Sequence, residues 1–382
     1  MSLAVLDDAG RVRPAPERLG TTSAWSLTAT ELHAFLPDNA RSSAAHLFTR
    51  LQRVSTWGDA GPDLGRDGRA AISVLDMSLP TVEDAVASSD GSTRLVLRTT
   101  DGHRIEAVHM PRPHLKVPRT TLCISSQVGC AMGCTFCATG TMGIVRNLSA
   151  GEIVGEVLAL MRAFGPQTGH QVNVVFMGMG EPLHNLDNVA RATAILCDPT
   201  GVGLSPQRIT VSTSGLVPRI DDFARLPVRP LLSVSVNATT DDTRSRVMPV
   251  NRAWNLASLK ACLERFPFRR GEKVLLAYGL LRGENDSDDD AVRLADFAAT
   301  LPANVNLIPL NEHAQTAHKS PDDDWIARFA RRLYDELRAR DFGGVLTTRN
   351  NRGRDVRGAC GQLVQESASG RRRAGDPHAE KT

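Results

Sequence analysis

The sequence predicts an α/β protein: a partial (β/α)₆ barrel of the TIM-like kind, with a small N-terminal module and a C-terminal extension. Three observations lead there. From Thr120 onward, short apolar runs alternate with amphipathic stretches in strand-then-helix order. The runs are continuously apolar, as strands of a parallel sheet covered on both faces have to be. The chain has 382 residues, 41% of them apolar, which is enough for one large core and an appendage.

Taken in order, residues 1–100 read as a separate accessory module. Within it, Thr30 to Leu51 has a helical spacing, with Leu32, Phe35 and Leu36 on one apolar face. Thr93 to Val108 alternates like a hairpin around the turn residues Asp101-Gly102. The core, residues 101–345, carries strand-like runs at Thr121–Ser125, Val172–Met177, Arg208–Ser212, Leu231–Val236, Val274–Leu281 and Asn304–Leu310. Helical segments fall between them at Ala150–Phe164, Leu186–Leu196, Leu256–Phe266 and Asp289–Thr300. A long amphipathic helix, Asp324 to Arg340, precedes a strand-like Gly344–Thr348. Residues 346–366 form a C-terminal segment bearing Cys360, and 367–382, polar and rich in Arg and Gly, read as a disordered tail. Periodicity does not separate a barrel from a doubly wound sheet, so both stand at this level.

Composition narrows the function classes. No apolar run approaches the roughly 18 residues that span a bilayer, and the N-terminus lacks a signal core, so a cytoplasmic protein without membrane attachment is expected. Seven cysteines are too few for a disulfide scaffold of this length and agree with a reducing compartment. A net charge of +3 argues nothing about nucleic acid by itself. Local clusters matter more: Arg349, Arg352, Arg354 and Arg357 precede Cys360, and Arg112, Lys116 and Arg119 precede Cys123. They suit phosphate contacts, although solvated loop charge explains any one of them equally well.

The chemistry-bearing motif is Cys130-Ala131-Met132-Gly133-Cys134-Thr135-Phe136-Cys137, a C-x₃-C-x₂-C run. Three closely spaced thiolates can hold three irons of a four-iron cluster and leave the fourth open to a substrate or cosubstrate. Structural zinc asks for four protein ligands, and no second cysteine pair or Cys/His pairing with His313 and His318 is present. The spacing therefore favours a metal at Cys130, Cys134 and Cys137 with an open iron, against a zinc-bearing binding module. After the second strand, Gly178-Met179-Gly180-Glu181 offers close backbone approach and a carboxylate for an amino group. It lacks the third glycine of a dinucleotide fingerprint. Glycines that merely turn a strand into a helix are the plain alternative.

The cysteine run, with Phe136 before its third cysteine, resembles the signature of the radical S-adenosylmethionine (SAM) superfamily. Over residues 100–365 the chain resembles the RlmN/Cfr family of radical SAM RNA adenosine methyltransferases. The matching segments are Thr121–Cys137, Phe176–Pro182, Val211–Pro218, Val305–Asn311, and Arg352-Gly353 followed by Ala359-Cys360-Gly361-Gln362-Leu363. The resemblance implies a [4Fe-4S] cluster, with SAM chelated to its open iron. It implies SAM contacts at Gly180, Glu181, Ser212, Ser235, Val236, Asn237 and Asn311. It further implies RNA as substrate, ribosomal RNA ahead of tRNA, and methylation of an adenine ring carbon, C2 ahead of C8. The chain is expected to act as a monomer, fed by an electron donor such as flavodoxin or ferredoxin.

The same resemblance implies roles for three residues outside the cluster run. Cys360 carries the methyl group as S-methylcysteine, Glu106 accepts the ring proton, and Cys123 forms a transient disulfide with Cys360 to release product. Read without the family, Cys123 in a strand is most often a small buried hydrophobe and Glu106 a surface acid. Cys197 and Cys262 read as packing. A radical SAM enzyme in which Cys360 ligates an auxiliary cluster is the competing reading. The chain also departs from the family. Asn237 stands where histidine is usual, Ala277 where many members carry an acid, and about five extra residues separate Glu106 from Thr121.

Overall fold

The computed structural model describes residues 22–36, 43–54, 62–164, 171–349 and 352–363. The tail expected at 367–382 lies outside the described residues. A ten-stranded sheet organises the chain, made of β1 (Thr81–Ala87), β2 (Thr93–Arg98), β3 (Arg104–Arg112), β4 (Arg119–Cys123), β7 (Gln171–Phe176), β8 (Ile209–Thr213), β9 (Leu231–Ser235), β10 (Val274–Leu280), β11 (Ala303–Pro309) and β12 (Leu346–Thr348). Between β4 and β7, β5 (Gln127–Cys130) and β6 (Gly143–Asn147) form a separate two-stranded hairpin.

Pairing settles what periodicity left open. The strands β4-β7-β8-β9-β10-β11-β12 lie side by side in chain order and all run parallel. A doubly wound sheet reverses its strand order at a switch point. Here the order never reverses, which is the barrel arrangement, left open because β12 does not pair back onto β1. At the other edge β1, β2 and β3 add as an antiparallel meander, and β3 pairs with β4 from Val108↔Cys123 to Arg112↔Arg119. The sheet thus runs across residue 100 without a break.

The helices are α1 (Ala29–Leu32), α2 (Ala44–Gln52), α3 (Gly65–Ile72), α4 (Ala138–Thr141), α5 (Ala150–Phe164), α6 (Leu186–Cys197), α7 (Val217–Ala224), α8 (Asp241–Val247), α9 (Leu256–Glu264), α10 (Asp288–Ala299) and α11 (Asp323–Ala339). The core spacing holds to within a residue or two. The N-terminal expectation of a helix from Thr30 to Leu51 needs correcting, because α1 and α2 are distinct. Pro37 forces extended backbone on the residue before it, and Leu36 takes φ −74°, ψ 140°. Helix α2 then starts afresh at Ser43, whose side chain accepts from the His46 N–H. Buried Leu32, Leu47, Phe48 and Leu51 join the main core. The hairpin expected at Asp101-Gly102 forms between β2 and β3, with Gly102 at φ +88° in the turn.

Candidate active site

The parallel strands deliver their C-terminal ends to one cavity of about 1140 Å³, counted to its open mouth. Residues from every loop the motifs identified line it. Cys130, Cys134 and Cys137 come from the loop after β5, Gly180 and Glu181 follow β7, Ser212 and Thr213 end β8, Ser235 and Asn237 end β9, and Asn311 follows β11. Cys360 and Arg349 close the wall from the C-terminal segment. Val236 is the exception among the expected contacts. It faces a different cavity beside Leu256 and Phe297, as strand alternation requires when its neighbours point inward.

The cluster loop is held by its own hairpin and by the end of the chain. Gly129, at φ +79°, is the residue that lets β5 pass β6, since a Cβ there would sit 2.0 Å from the Gly143 carbonyl oxygen. Thr135 N–H donates to the Val247 carbonyl, and Ala138 N–H donates to the Gly361 carbonyl at 2.7 Å. Thr139 Oγ1 donates to the Leu363 carbonyl at 2.7 Å, and Asn311 Nδ2 donates to the Cys360 carbonyl at 3.0 Å. His313 and His318, considered as zinc partners, instead brace the loop. His313 Nε2 lies 3.0 Å from the Phe136 carbonyl and His318 Nε2 2.8 Å from Thr135 Oγ1.

Burial pushes all three loop thiols up, and for Cys130 and Cys134 a neighbouring loop thiolate adds most to it after burial. Holding them as thiolates therefore needs nearby positive charge, which irons supply. Among the described residues no three His, Cys, Asp or Glu side chains converge as a single metal ion demands. Three thiolates that each take a different corner of a cluster have no need to converge.

Glu181 is buried and its carboxylate accepts from the backbone N–H groups of Ser214 at 2.7 Å and Leu183 at 3.1 Å. Burial still raises it above the usual carboxylate range. Gly178 and Gly180 are small by necessity, because Cβ atoms there would lie 2.6 Å from the Ile124 carbonyl oxygen and from Gln127 Cβ. Asn237 adopts φ +52°, its Oδ1 accepting from the Gly279 N–H at 2.7 Å. The Asn237 amide is thus fixed, and it does not titrate. Among the described residues Ser233 Oγ and Asn311 Oδ1 are buried without a partner, and both residues line the cavity. Three thiolates, a shortage of internal partners and a glycine cradle beside a carboxylate fit a cluster and a zwitterionic cosubstrate.

Sequence reasoning missed Arg244, fully buried on α8. Its guanidinium donates to the carbonyls of Val236 at 2.9 Å, Ser214 at 2.7 Å and Ser235 at 3.1 Å, and to Asn251 Oδ1. Burial lowers it to about 10, against the pull of Cys134 and Asp241. It ties the ends of β8 and β9 together beneath the cavity. A lone arginine in a charged helix gave no signal.

A second pocket opens beside the first. Met110, Cys123, Arg352, Gly358, Ala359 and Leu363 line it, together with Met177, Arg349 and Cys360, which it shares with the cofactor cavity. Cys123 and Cys360 therefore face one space although far apart in the chain, and both are free thiols. The disulfide suggested by the sequence is not formed here. Glu106 lies on β3 two residues from Val108, the partner of Cys123, and so on the same sheet face. It lines neither space. Fully buried, it is bonded to Arg94 Nη1 at 2.6 Å. Arg352, read as a phosphate contact, donates instead to the Pro111 carbonyl at 2.7 Å and to the Asp90 carbonyl, bracing the C-terminal segment against β3.

Comparison with known proteins follows this geometry. Residues 124–295 match the family model described as the Radical SAM superfamily. The chain is 41% identical over 360 residues to dual-specificity RNA methyltransferase RlmN 2 of Myxococcus xanthus, covering 92% of both chains. It belongs to the RlmN family. Another member, from Geobacter sulfurreducens, is 43% identical over 88% of this chain and 90% of its own. The fold superimposes with a TM-score of 0.80 on the crystal structure of a radical SAM methyltransferase from Sphaerobacter thermophilus, at 40% identity over 90% of this chain and 99% of that one. As an RlmN-family enzyme it is a radical SAM methyltransferase that uses a [4Fe-4S] cluster and SAM. Among the described residues no helix is long and apolar enough to cross a membrane.

Proposed function

We propose that this enzyme methylates a ring carbon of an adenosine in RNA, C2 ahead of C8, with 23S ribosomal RNA as the principal substrate and tRNA as a second. The relatives' designation as dual-specificity RNA methyltransferases supports the substrate class. The observation that carries the reading is the position of Cys360 on the shared wall of the cofactor cavity and the thiol pocket. A methyl carrier has to meet SAM on one side and a resolving thiol on the other, and this wall allows both.

When bound, the cluster and SAM supply a 5′-deoxyadenosyl radical. The protein's own residues do the rest. Cys360 takes a methyl group by substitution and presents it to the cavity. Glu106, in the proton-acceptor role, sits on the sheet face that also carries Cys123. Arg94 Nη1 is bonded to it at 2.6 Å. Once the carried carbon is bonded to the ring, Cys123 attacks the Cys360 sulfur; the S–S bond forms as the sulfur–carbon bond breaks, and the freed carbon takes a proton to become the ring's methyl group. An adenine ring carbon is unreachable within a stacked helix, so the target nucleotide is splayed out or unpaired. The Cys130–Cys134–Cys137 loop holds the cluster, and Gly180, Glu181, Ser212, Ser235, Asn237 and Asn311 surround SAM, with Val236 contributing backbone only.

The test is anaerobic assay of the reconstituted enzyme with SAM and ribosomal RNA fragments. Cys360→Ala is expected to abolish methyl transfer, and Cys123→Ala to accumulate a covalent protein–RNA adduct. Methyl transfer by Cys360→Ala would sink the proposal. The competing reading, an auxiliary cluster on Cys360, meets a shortage of ligands. Among the described residues Cys123 is the one other cysteine lining the thiol pocket, while Cys262 is buried on α9 against the Val217 carbonyl and Asp221. Iron content decides between them, about four irons per chain against about eight.

A further inference from the structure

We infer that Arg349 is the positioning residue that makes the Cys123 thiolate available, acting as the fixed counter-charge of the thiol pocket. The inference deepens the functional reading above and rests on it. Cys123 is buried at the end of β4, where an anion is expensive. To attack a sulfur it must nevertheless be a thiolate.

Charged groups surround it from β3, α5 and the C-terminal segment. Glu106 on β3 and Glu156 on α5 are acids. Glu106 is bonded to Arg94, so both of those charges are spent on each other. Glu156 is buried and accepts from the Ser125 N–H at 3.0 Å, and its charge disfavours an anion at Cys123. Cys360 is a second thiol and adds to the penalty. Two cations line the pocket, Arg352 and Arg349. Arg352 is committed to the carbonyls of Pro111 and Asp90 and to the Asp90 carboxylate at 3.5 Å.

Arg349 differs from it in every respect that matters. Among the described residues its guanidinium has no carboxylate partner. Its backbone is pinned by donation of the Arg349 N–H to the Leu307 carbonyl at 2.8 Å, just past the end of β12. It is also the only cationic side chain lining the cofactor cavity, on the wall it shares with Cys360 and Met177. The same side chain lowers the Cys123 thiol against the burial that raises it. A guanidinium is charged at every working pH, so the effect is always on. Anchoring it at a strand end keeps it from swinging to solvent.

The test follows the reactivity of Cys123 with iodoacetamide against pH in the cluster-loaded enzyme, scored on the Cys123 peptide by mass spectrometry. In Arg349→Gln the half-maximal pH of alkylation should move up by about one unit, an about tenfold loss of thiolate at neutral pH. Arg349→Lys should recover part of that shift. Cluster absorbance checks that each variant is folded. An unchanged alkylation rate in Arg349→Gln would overturn the inference, as would an equal loss of rate in Arg349→Lys, which reports access and not charge. Failure of the functional reading looks different. There Cys123→Ala gives no protein–RNA adduct, whatever the alkylation profile of Arg349→Gln.

Discussion

The cofactor cavity and the thiol pocket share Met177, Arg349 and Cys360, yet the chain assembles them by different means. The cofactor cavity is made of strand ends. The loops after β7, β8, β9, β10 and β11 supply most of its lining, and the parallel order of those strands brings them together without any long-range coincidence. The thiol pocket is made of one strand and one terminal segment. Cys123 ends β4, and Cys360 returns to it across the whole barrel, carried by turns tied down at Ser88, Ser89, Asp90, Ala138 and Thr139. A repeated architecture creates the first space, and individual hydrogen bonds create the second. The first should therefore fail by losing its cofactor, the second by losing its alignment.

The sharpest separation of the two comes from cysteine variants. Cys134→Ala should lose the cluster absorbance, SAM cleavage and methyl transfer together, because one corner of the cluster is unheld. Cys360→Ala should keep the absorbance and reductive SAM cleavage while methyl transfer falls to background. If SAM cleavage also disappears in Cys360→Ala, the two spaces are not functionally separate.

Arg244→Gln comes next in size and attacks only the strand-end architecture. It strands the buried carbonyls of Ser214, Ser235 and Val236, for a cost of about 3 kcal/mol or more. Denaturant unfolding should show the loss, with SAM affinity falling alongside it and Cys123 alkylation little changed. A smaller effect is expected from Thr139→Val, which removes the 2.7 Å bond to the Leu363 carbonyl. About 1 kcal/mol of docking is lost. Methyl transfer should slow while cluster content stays intact.

This contrast also governs how much could be read from sequence. Strands and helices of the barrel were legible because their periodicity is local, and the loop cysteines because three thiolates at short spacing have few other uses. Gly178 and Gly180 read as letting backbone approach a zwitterion, whereas the 2.6 Å clearances found are to Ile124 and Gln127 of the chain itself. Arg244, His313 and His318 were not, since their meaning lies in carbonyls contributed by other loops. Arg352 was read by charge as a phosphate contact, whereas its geometry makes it a brace. Val236 was carried along with its neighbours although alternation turns it away. The helix break before α2 was visible in Pro37 and was overlooked because the apolar spacing continues through it.

The smallest effect concerns the back of the thiol pocket's wall. His109 is buried on β3 between Val108 and Met110 and stacks on Phe164 of α5 at 3.7 Å. Burial, with Arg352 nearby, lowers it from 6.5 to about 4. The folded protein therefore keeps this imidazole neutral where the unfolded chain would protonate it. Below pH 6.5 the unfolded state binds a proton that the native state refuses, so stability falls as pH drops toward 4. His109→Phe keeps a ring against Phe164 and removes the titration. Urea unfolding between pH 7 and pH 4 should then show a shallower decline in the variant than in the parent. Because α5 and β3 carry the wall but not the cluster loop, cluster absorbance should hold across the same range. Parallel decline of the two proteins across that range would mean that His109 is protonated in the fold, and that the wall behind Cys123 is more open to water than its burial implies.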